Sequence, residues 1–195
     1  QGIEAVEQRL QQDPAVDLFI NNAGTAKMAG FLASTSREHQ AIHTLNTTAL
    51  LRLSYAALAA FAPRGRGTLI NIASILALHT LPGSAVYSAS KAWVLSFTRG
   101  LQDEFADSGV RIQAVLPAAT ATDLWPTSGV ALDALPTGTV MTTEDLVDAA
   151  LRGLEMGEKV TLPPVHDLGL WEAFEQTRLA LFTSARTGQP APRYR

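Results

Sequence analysis

Apolar residues along the chain fall into two kinds of stretch. Short, mostly apolar runs predict buried strands, and these lie at residues 16–20, 68–72, 110–116 and 159–162. Longer stretches have an apolar residue every three or four positions, which predicts helices at residues 3–10, 36–61, 85–105, 144–156 and 171–182. Strands that alternate with such helices predict βαβ units, so we expect an α/β domain with a parallel sheet and helices on both of its faces.

The starts of two helices carry capping signals. Thr35 and Glu38 have the spacing of a capping box, which predicts the beginning of the long helix at residue 36. Thr143 is expected to cap the helix that begins at Glu144, because a threonine hydroxyl can accept a bond from a free helical N–H group.

The stretch from Pro117 to Gly138 is rich in proline and glycine and has no regular spacing of apolar residues. This composition predicts a long mobile loop. We expect residues 1–186 to form one domain and residues 187–195 to form a flexible tail, since chain ends are often poorly ordered.

Polar segments follow three of the predicted strands, at the point where each strand ends. These segments are Asn21–Gly24, Ser74 and Pro117–Thr122. Parallel sheets bind ligands at the carboxyl ends of their strands. The sequence therefore predicts a site at this edge of the sheet.

Tyr87 and Lys91 are four residues apart on a predicted helix, so the ammonium lies near the phenol. A nearby cation favours phenolate and lowers the phenol pKa from its usual value of about 10. The hydroxyl of Ser74, on a separate strand, would then hold the oxygen that gains the proton. Helical rotation places both side chains on the flank of the apolar stripe, at the edge of the sheet rather than in the core. Taken alone, such a pair is also typical of an exposed helix surface.

Composition excludes several classes of function. A chain of 195 residues with a net charge of −3 and a pI near 5.8 has no basic footprint for nucleic acid or for an anionic membrane. The absence of cysteine excludes disulfides, thiol nucleophiles and Cys-ligated zinc, and it fits a reducing compartment. No apolar run is long enough to span a bilayer and no signal-peptide pattern is found, so we expect a cytoplasmic protein.

Taken in order, these motifs resemble those of the short-chain dehydrogenase/reductase family. Asn21–Gly24 resembles the family's signature after its fourth strand, Asn46 its helix asparagine, and Ser74, Tyr87 and Lys91 its active-site set. The resemblance implies a Rossmann-like doubly wound parallel sheet in three layers. It also implies an NAD- or NADP-dependent oxidoreductase that acts on a carbonyl group or a secondary alcohol.

The resemblance implies a role for each residue of the catalytic set. Tyr87 would be the general acid in carbonyl reduction and the base in alcohol oxidation. Lys91 would lower the tyrosine pKa and bind the nicotinamide ribose, and Ser74 would orient the substrate oxygen. Asn46 would hold a water that connects Lys91 to solvent, although a solvent-facing asparagine is the plain alternative.

The implied cofactor contacts extend beyond the catalytic set. They are Asn21, Ala23, Gly24, Asn46, Tyr87, Lys91, Pro117, Thr120 and Thr122. The segment Pro117–Thr122 resembles a Pro-Gly-x-x-x-Thr segment that contacts the nicotinamide carboxamide. Here Ala118 replaces the glycine, which restricts the backbone at that position. Asn21–Gly24 is also compatible with a simple strand-terminating turn.

One family motif is missing from the sequence. No T-G-x-x-x-G-x-G turn is present and no strand is predicted before residue 16. We therefore expect a chain truncated at its N-terminus, without the first β-α-β-α-β portion, which would carry the pyrophosphate turn and the choice between NAD and NADP. The alternative function is a non-catalytic fragment that binds cofactor poorly.

Other candidate contacts are weaker. His39 and His43 are four residues apart, but no third ligand stands out, so no metal site is predicted. His79 and the pair Leu124 and Trp125 are candidates to shape the substrate pocket.

The expected partners are a small carbonyl or alcohol substrate and a second copy of the chain. The family commonly assembles through its two long helices, here Ser36–Phe61 and Ala85–Phe105, so a homodimer or homotetramer is implied. We expect no nucleic acid and no membrane partner.

Overall fold

The fold is known from a computed structural model that describes residues 2–195. Within these residues four strands form one parallel sheet in the order β1-β2-β3-β4. The strands are β1 (Leu18–Asn21), β2 (Gly67–Ile72), β3 (Val110–Val115) and β4 (Val160–Thr161). Each lies within one or two residues of a predicted strand, so the predicted parallel sheet is confirmed.

The helices also follow the apolar spacing of the sequence. They are α1 (Gly2–Gln12), α2 (Ser36–His43), α3 (Leu50–Phe61), α4 (Ala85–Glu104), α5 (Leu124–Ser128), α6 (Thr143–Glu155) and α7 (Leu168–Ser184). A π-helical segment, Thr44–Ala49, joins α2 to α3, so the predicted helix over residues 36–61 is continuous but locally widened. The stretch predicted as a loop contains α5 and a short 3-10 turn, Leu132–Ala134, so that part of the prediction is wrong.

The capping box at the start of α2 is confirmed. The Thr35 hydroxyl accepts a bond from the Glu38 N–H (3.2 Å), and the Glu38 carboxylate accepts one from the Thr35 N–H (2.7 Å). The cap of α6 is one residue earlier than predicted. Thr142, whose backbone is extended, accepts from the Asp145 N–H (3.0 Å), whereas Thr143 already lies in the first helical turn.

Helices cover both faces of the sheet. On one face Leu69 of β2 and Ile112 of β3 are neighbours in register, and they pack in one apolar core with Leu10, Ala56, Ala57, Leu58, Phe61 and Leu101 of α1, α3 and α4. On the opposite face the buried Gln113 donates to the Ala150 carbonyl of α6 (3.0 Å). This arrangement confirms the predicted three layers.

Buried polar side chains connect β1 and β2 to the helices. The Asn21 amide donates to the Asn71 side chain (2.9 Å) and to the Ser54 hydroxyl of α3 (3.0 Å). Asn71 in turn donates to the Thr98 hydroxyl of α4 (3.0 Å). Because an unpaired buried amide costs about 1–3 kcal/mol, these bonds fix the spacing between the sheet and the two helices.

Two compact units are distinguished by contacts. The first runs to Pro164 and contains the sheet, and the second is Val165–Arg195, which contains α7. The boundary predicted at residue 186 stays a prediction. Over residues 2–195, every helix is too short or too polar to cross a membrane.

Two glycines with positive φ allow the energetic cost of backbone strain to be measured apart from the cost of a steric collision. Gly109 (φ +75°) and Gly138 (φ +79°) share a conformation, but a Cβ on Gly109 would collide with the Gly65 carbonyl, whereas nothing lies near Gly138. We predict that Gly138→Ala costs about 1–2 kcal/mol of unfolding free energy and that Gly109→Ala costs distinctly more. Urea unfolding measures both, and equal losses would show that the Gly65 contact contributes nothing.

Candidate active site

Tyr87 and Lys91 lie in the first two turns of α4, at the carboxyl edge of the sheet. Both side chains lie at the expected sheet edge, but only 8% and 5% of their surface is exposed, so the expectation that they lie outside the core is wrong. The Lys91 Nζ lies 5.8 Å from the centre of the Tyr87 ring. The two groups are therefore close, as the four-residue spacing predicts.

Burial controls the charge of Lys91. Its Nζ donates to the Ile72 carbonyl at the end of β2 (2.9 Å), and burial lowers its pKa to about 8. Within residues 2–195 no carboxylate offsets this effect. The ammonium thus stays charged at neutral pH but loses its proton more readily than an exposed lysine.

Ser74 and Tyr87 form a hydroxyl pair. Burial raises the pKa of the Tyr87 phenol above its ordinary value, and a hydrogen bond with Ser74 opposes that rise. The sequence led us to expect a tyrosine pKa lowered by the neighbouring cation, and that expectation is not met, because burial is the dominant cause and only the contact with Ser74 opposes it. Ser74 is itself fixed, because its Oγ accepts from the Leu76 N–H (3.1 Å).

Asn46 faces inward from the π-helical segment and is almost completely buried. Its Oδ1 accepts from the Thr25 N–H, and its Nδ2 donates to the Thr25 carbonyl and to the Ser90 hydroxyl, each at 2.9 Å. The alternative of a solvent-facing asparagine is therefore wrong. π-Helical turns are rare overall but often occur at functional sites, and apolar spacing does not reveal this one.

Ser90 is a site residue that the sequence analysis missed. Its hydroxyl donates to the Tyr87 carbonyl one turn earlier (2.7 Å) and accepts from Asn46. It therefore ties the helix that carries Tyr87 and Lys91 to the π-helical segment. The sequence offered one indication of this role, since Ser90 directly precedes Lys91. That indication is weak, because a serine in a helix usually bonds only to its own backbone.

Only some of the predicted cofactor contacts lie next to the predicted catalytic residues. Gly24 borders both Asn46 and Lys91, and the Pro117 carbonyl accepts from the Ile75 N–H (2.8 Å) next to Ser74. The Asn21 side chain is committed to the bonds within the sheet described above. Ala23, Thr120 and Thr122 lie in the same loops, with Thr120 buried and Ala23 and Thr122 exposed.

Backbone bonds connect the loops that follow β1, β2 and β3. The Met28 N–H donates to the Ser128 carbonyl at the end of α5 (2.7 Å), and the Ala29 N–H donates to the Gly83 carbonyl before α4 (3.1 Å). The Trp125 indole donates to the Thr120 carbonyl (2.6 Å). The segment containing Trp125 is therefore held against the loop after β1.

The three histidines considered in the sequence analysis, His39, His43 and His79, make contacts outside the predicted catalytic set. His39 stacks on Phe31 and bonds to its carbonyl (2.9 Å), and His43 contacts Thr47. Among the described residues no three potential ligands lie close enough to hold a metal ion. His79 lines a cavity of about 330 Å³ on another flank of α4, whose lining includes Ala85, Ser88 and Ala92 but none of the four predicted catalytic residues.

Comparison with protein families and curated proteins gives consistent matches. A family model described as short chain dehydrogenase matches residues 1–131. A 3alpha-hydroxysteroid dehydrogenase of Mediterraneibacter gnavus is 31% identical over 151 residues, which are 75% of this chain and 60% of that protein. The 4-formylbenzenesulfonate dehydrogenase TsaC1/TsaC2 of Comamonas testosteroni is 37% identical over 113 residues, or 57% of this chain and 45% of that protein. The chain thus spans less than two thirds of either relative.

Solved structures match the fold closely. A short-chain dehydrogenase from Sphingobium yanoikuyae in complex with NADPH superposes with a TM-score of 0.93 at 42% identity, covering 99% of this chain and 75% of that chain. The bulky-bulky ketone specific alcohol dehydrogenase from Comamonas testosteroni superposes with a TM-score of 0.87 at 37% identity, covering 98% and 72% of the two chains.

Lys91 makes stability depend on pH. Its folded pKa of about 8 lies below the usual unfolded value of about 10.4, so between these values the unfolded chain binds more protons and stability rises with pH. We predict that the unfolding free energy of the wild type, relative to Lys91→Met, rises by about 3 kcal/mol across this window.

Urea unfolding at a series of pH values measures this difference. Lys159→Met, which removes an exposed ammonium, is the matched control. Its unfolding free energy is expected to change with pH in parallel with that of the wild type. A Lys91→Met curve that also runs parallel would contradict the assigned effect of burial.

Proposed function

Because the chain belongs to the short-chain dehydrogenase family, we propose that it carries the catalytic part of an NAD- or NADP-dependent oxidoreductase acting on a carbonyl group or a secondary alcohol. The observation that carries this proposal is the buried phenol of Tyr87, which lies beside the buried ammonium of Lys91 and interacts with Ser74. These groups lie at the carboxyl edge of a parallel sheet, where such folds bind ligands.

Tyr87 would move the proton. A phenol whose pKa is raised by burial keeps its proton at neutral pH, which suits a general acid in carbonyl reduction. The Ser74 hydroxyl, bonded to the phenol, would hold the substrate oxygen within reach of that proton. In the reverse direction Tyr87 would accept the proton of the alcohol.

Lys91 would stabilise the deprotonated form of Tyr87. With a pKa of about 8, the ammonium is mostly charged at pH 7 and favours the phenolate that remains when Tyr87 gives up its proton. Asn46 would act through Lys91 as a positioning residue, since its carboxamide holds the loop that borders the ammonium.

The residues at this edge fit a nicotinamide cofactor. Gly24 offers no side chain, and the Lys91 ammonium keeps hydrogens that the Ile72 carbonyl does not use. The residues that would hold the cofactor are Ala23, Gly24, Asn46, Tyr87, Lys91, Pro117, Thr120 and Thr122, and Asn21 would support their loop, since its side chain bonds within the sheet. When bound, the nicotinamide supplies or accepts the hydride. The Sphingobium neighbour, whose structure is in complex with NADPH, supports this assignment.

The surface of the long helices supports self-association. Leu51 and Tyr55 of α3 are 43% and 73% exposed, and Trp93 stacks on Phe97 at the half-buried side of α4. We propose a homodimer or homotetramer that covers these groups. A cytoplasmic location stays a prediction.

An apolar rim near Tyr87 favours a substrate with apolar groups. Leu32, Phe31 and Leu81 are 95%, 60% and 53% exposed. The bond from Ala29 to Gly83 brings their two segments together one turn before Tyr87. Exposed apolar groups beside a site mark binding surfaces, and the Comamonas neighbour is named for bulky ketones.

Tyr87→Phe is expected to abolish turnover while leaving cofactor affinity nearly unchanged, because it removes the transferable proton but little contact area. Steady-state kinetics and a fluorescence titration with NADPH and NADH measure the two quantities. Tyr194→Phe, which removes an exposed hydroxyl outside the helices proposed for self-association, is the control. A Tyr87→Phe protein that retained most of its activity would overturn the assigned role.

A series of 2-alkanones of increasing length tests the apolar rim. Each added methylene is expected to raise kcat/KM by up to about fourfold until the rim is covered. Leu32→Ser and Leu81→Ser should flatten that dependence, whereas Val147→Ser, at an apolar position on α6 that is as exposed as Leu81, should not. Activity that is independent of chain length in the wild type would contradict the assignment of the rim.

A further inference from the structure

His39 is a half-buried histidine of α2 that has no part in the proposed proton transfer. Its Nε2 lies 2.9 Å from the Phe31 carbonyl oxygen, and its ring stacks on the Phe31 ring with 4.7 Å between the centroids and 6° between the planes. Because a carbonyl oxygen can only accept, Nε2 carries the hydrogen of this bond. One side chain therefore holds both the backbone and the ring of Phe31.

The other ring nitrogen of His39 does not fix the ring. The Nδ1 atom is buried, and among residues 2–195 it has no hydrogen-bond partner. A buried acceptor without a partner is unfavourable, so the orientation of the imidazole follows from its two contacts with Phe31.

Phe31 and Leu32 of the apolar rim belong to a 3-10 turn, Phe31–Ala33, whose two ends are held by other groups. Before the turn, the Ala29 N–H donates to the Gly83 carbonyl (3.1 Å), and after it Thr35 caps α2. The bond from His39 ties the middle of the turn to α2. Hydrogen bonds within 3-10 turns have poor geometry, so a contact from outside adds to the order of this turn.

We propose that His39 is a positioning residue for substrate specificity, which holds Phe31 and Leu32 as a fixed apolar wall for the larger group of a ketone. The inference rests on the proposed function, because it deepens the assignment of the apolar rim. Phe31 and Leu32 are 60% and 95% exposed, so packing in the core holds neither side chain. Ordering such groups when a substrate binds reduces affinity, and a turn that His39 has already ordered avoids that loss.

Three variants of His39 separate its two contacts. His39→Ala removes both the bond and the stacked ring. His39→Gln keeps an N–H group that can donate to the Phe31 carbonyl, whereas His39→Phe keeps a ring without a donor. Gln40→Ala is the matched control, because Gln40 is the next residue of α2 and is exposed.

The measurement is the ratio of kcat/KM for 2-octanone to kcat/KM for 2-butanone. His39→Ala and His39→Phe are expected to lower this ratio about five- to tenfold, through a higher KM for 2-octanone. Their kcat for 2-butanone is expected to stay within about twofold of the wild-type value, whereas damage to the catalytic residues would lower kcat for both ketones. His39→Gln and Gln40→Ala are expected to keep the wild-type ratio.

Hydrogen exchange tests the same contact without cofactor or substrate. The Ala33 N–H donates to the Gly30 carbonyl (2.8 Å) across the turn, so its exchange rate reports how often the turn opens. Exchange at Ala33 is expected to be faster in His39→Ala and His39→Phe than in the wild type, and unchanged in His39→Gln and Gln40→Ala.

An unchanged ratio in His39→Ala would overturn the proposal, as would a ratio in His39→Gln as low as that in His39→Ala. If His39→Ala does not fold, His39→Phe decides, since a lowered ratio there supports the role of the bond and an unchanged ratio contradicts it. A wild type that reduces neither ketone would refute the proposed function. In that case the exchange rates decide separately on the positioning role, which faster exchange at Ala33 supports and unchanged exchange overturns.

Discussion

The buried carboxamide of Asn46 connects the elements that the candidate site depends on. Its three hydrogen bonds reach Thr25 in the loop after β1 and Ser90 on α4. Leaving such a group unpaired in the interior costs about 1–3 kcal/mol, so the loop, the π-helical segment and α4 are held in one arrangement. Ser90 extends the connection to the Tyr87 carbonyl. The position of the acid–base pair relative to the sheet edge follows from these bonds.

Burial then decides the charge states of that pair. It raises the pKa of Tyr87 and lowers that of Lys91, so both groups are pushed toward their neutral forms by the same cause. At neutral pH the outcome is a protonated phenol beside a mostly charged ammonium. This combination suits donation of a proton to a carbonyl oxygen, because the cation compensates the charge that the phenol acquires only after the transfer. The protonation states of Tyr87 and Lys91 are thus set by their burial and not by the attraction between the two groups alone.

Much of this arrangement could be predicted from the sequence. Alternating strands and helices, the capping box at Thr35 and the three polar strand ends follow from local chemistry. Other features could not. Two adjacent threonines, Thr142 and Thr143, offer the same capping hydroxyl, and only the backbone conformation selects the first. Apolar spacing does not distinguish a π-helical turn from an α-helix, and the burial of Tyr87 and Lys91 depends on the fold of the loop that contains Gly24.

We propose that this edge of the sheet carries out a hydride transfer coupled to the donation of a proton by Tyr87. The most direct test is the reduction of a ketone with NADPH or NADH deuterated at C4 of the nicotinamide, followed by mass spectrometry and NMR of the alcohol. If the proposal holds, the alcohol carries one deuterium on the carbinol carbon and a solvent-exchangeable proton on its oxygen. An alcohol without deuterium at that carbon, or the absence of any alcohol product from short and long ketones with either cofactor, would contradict it.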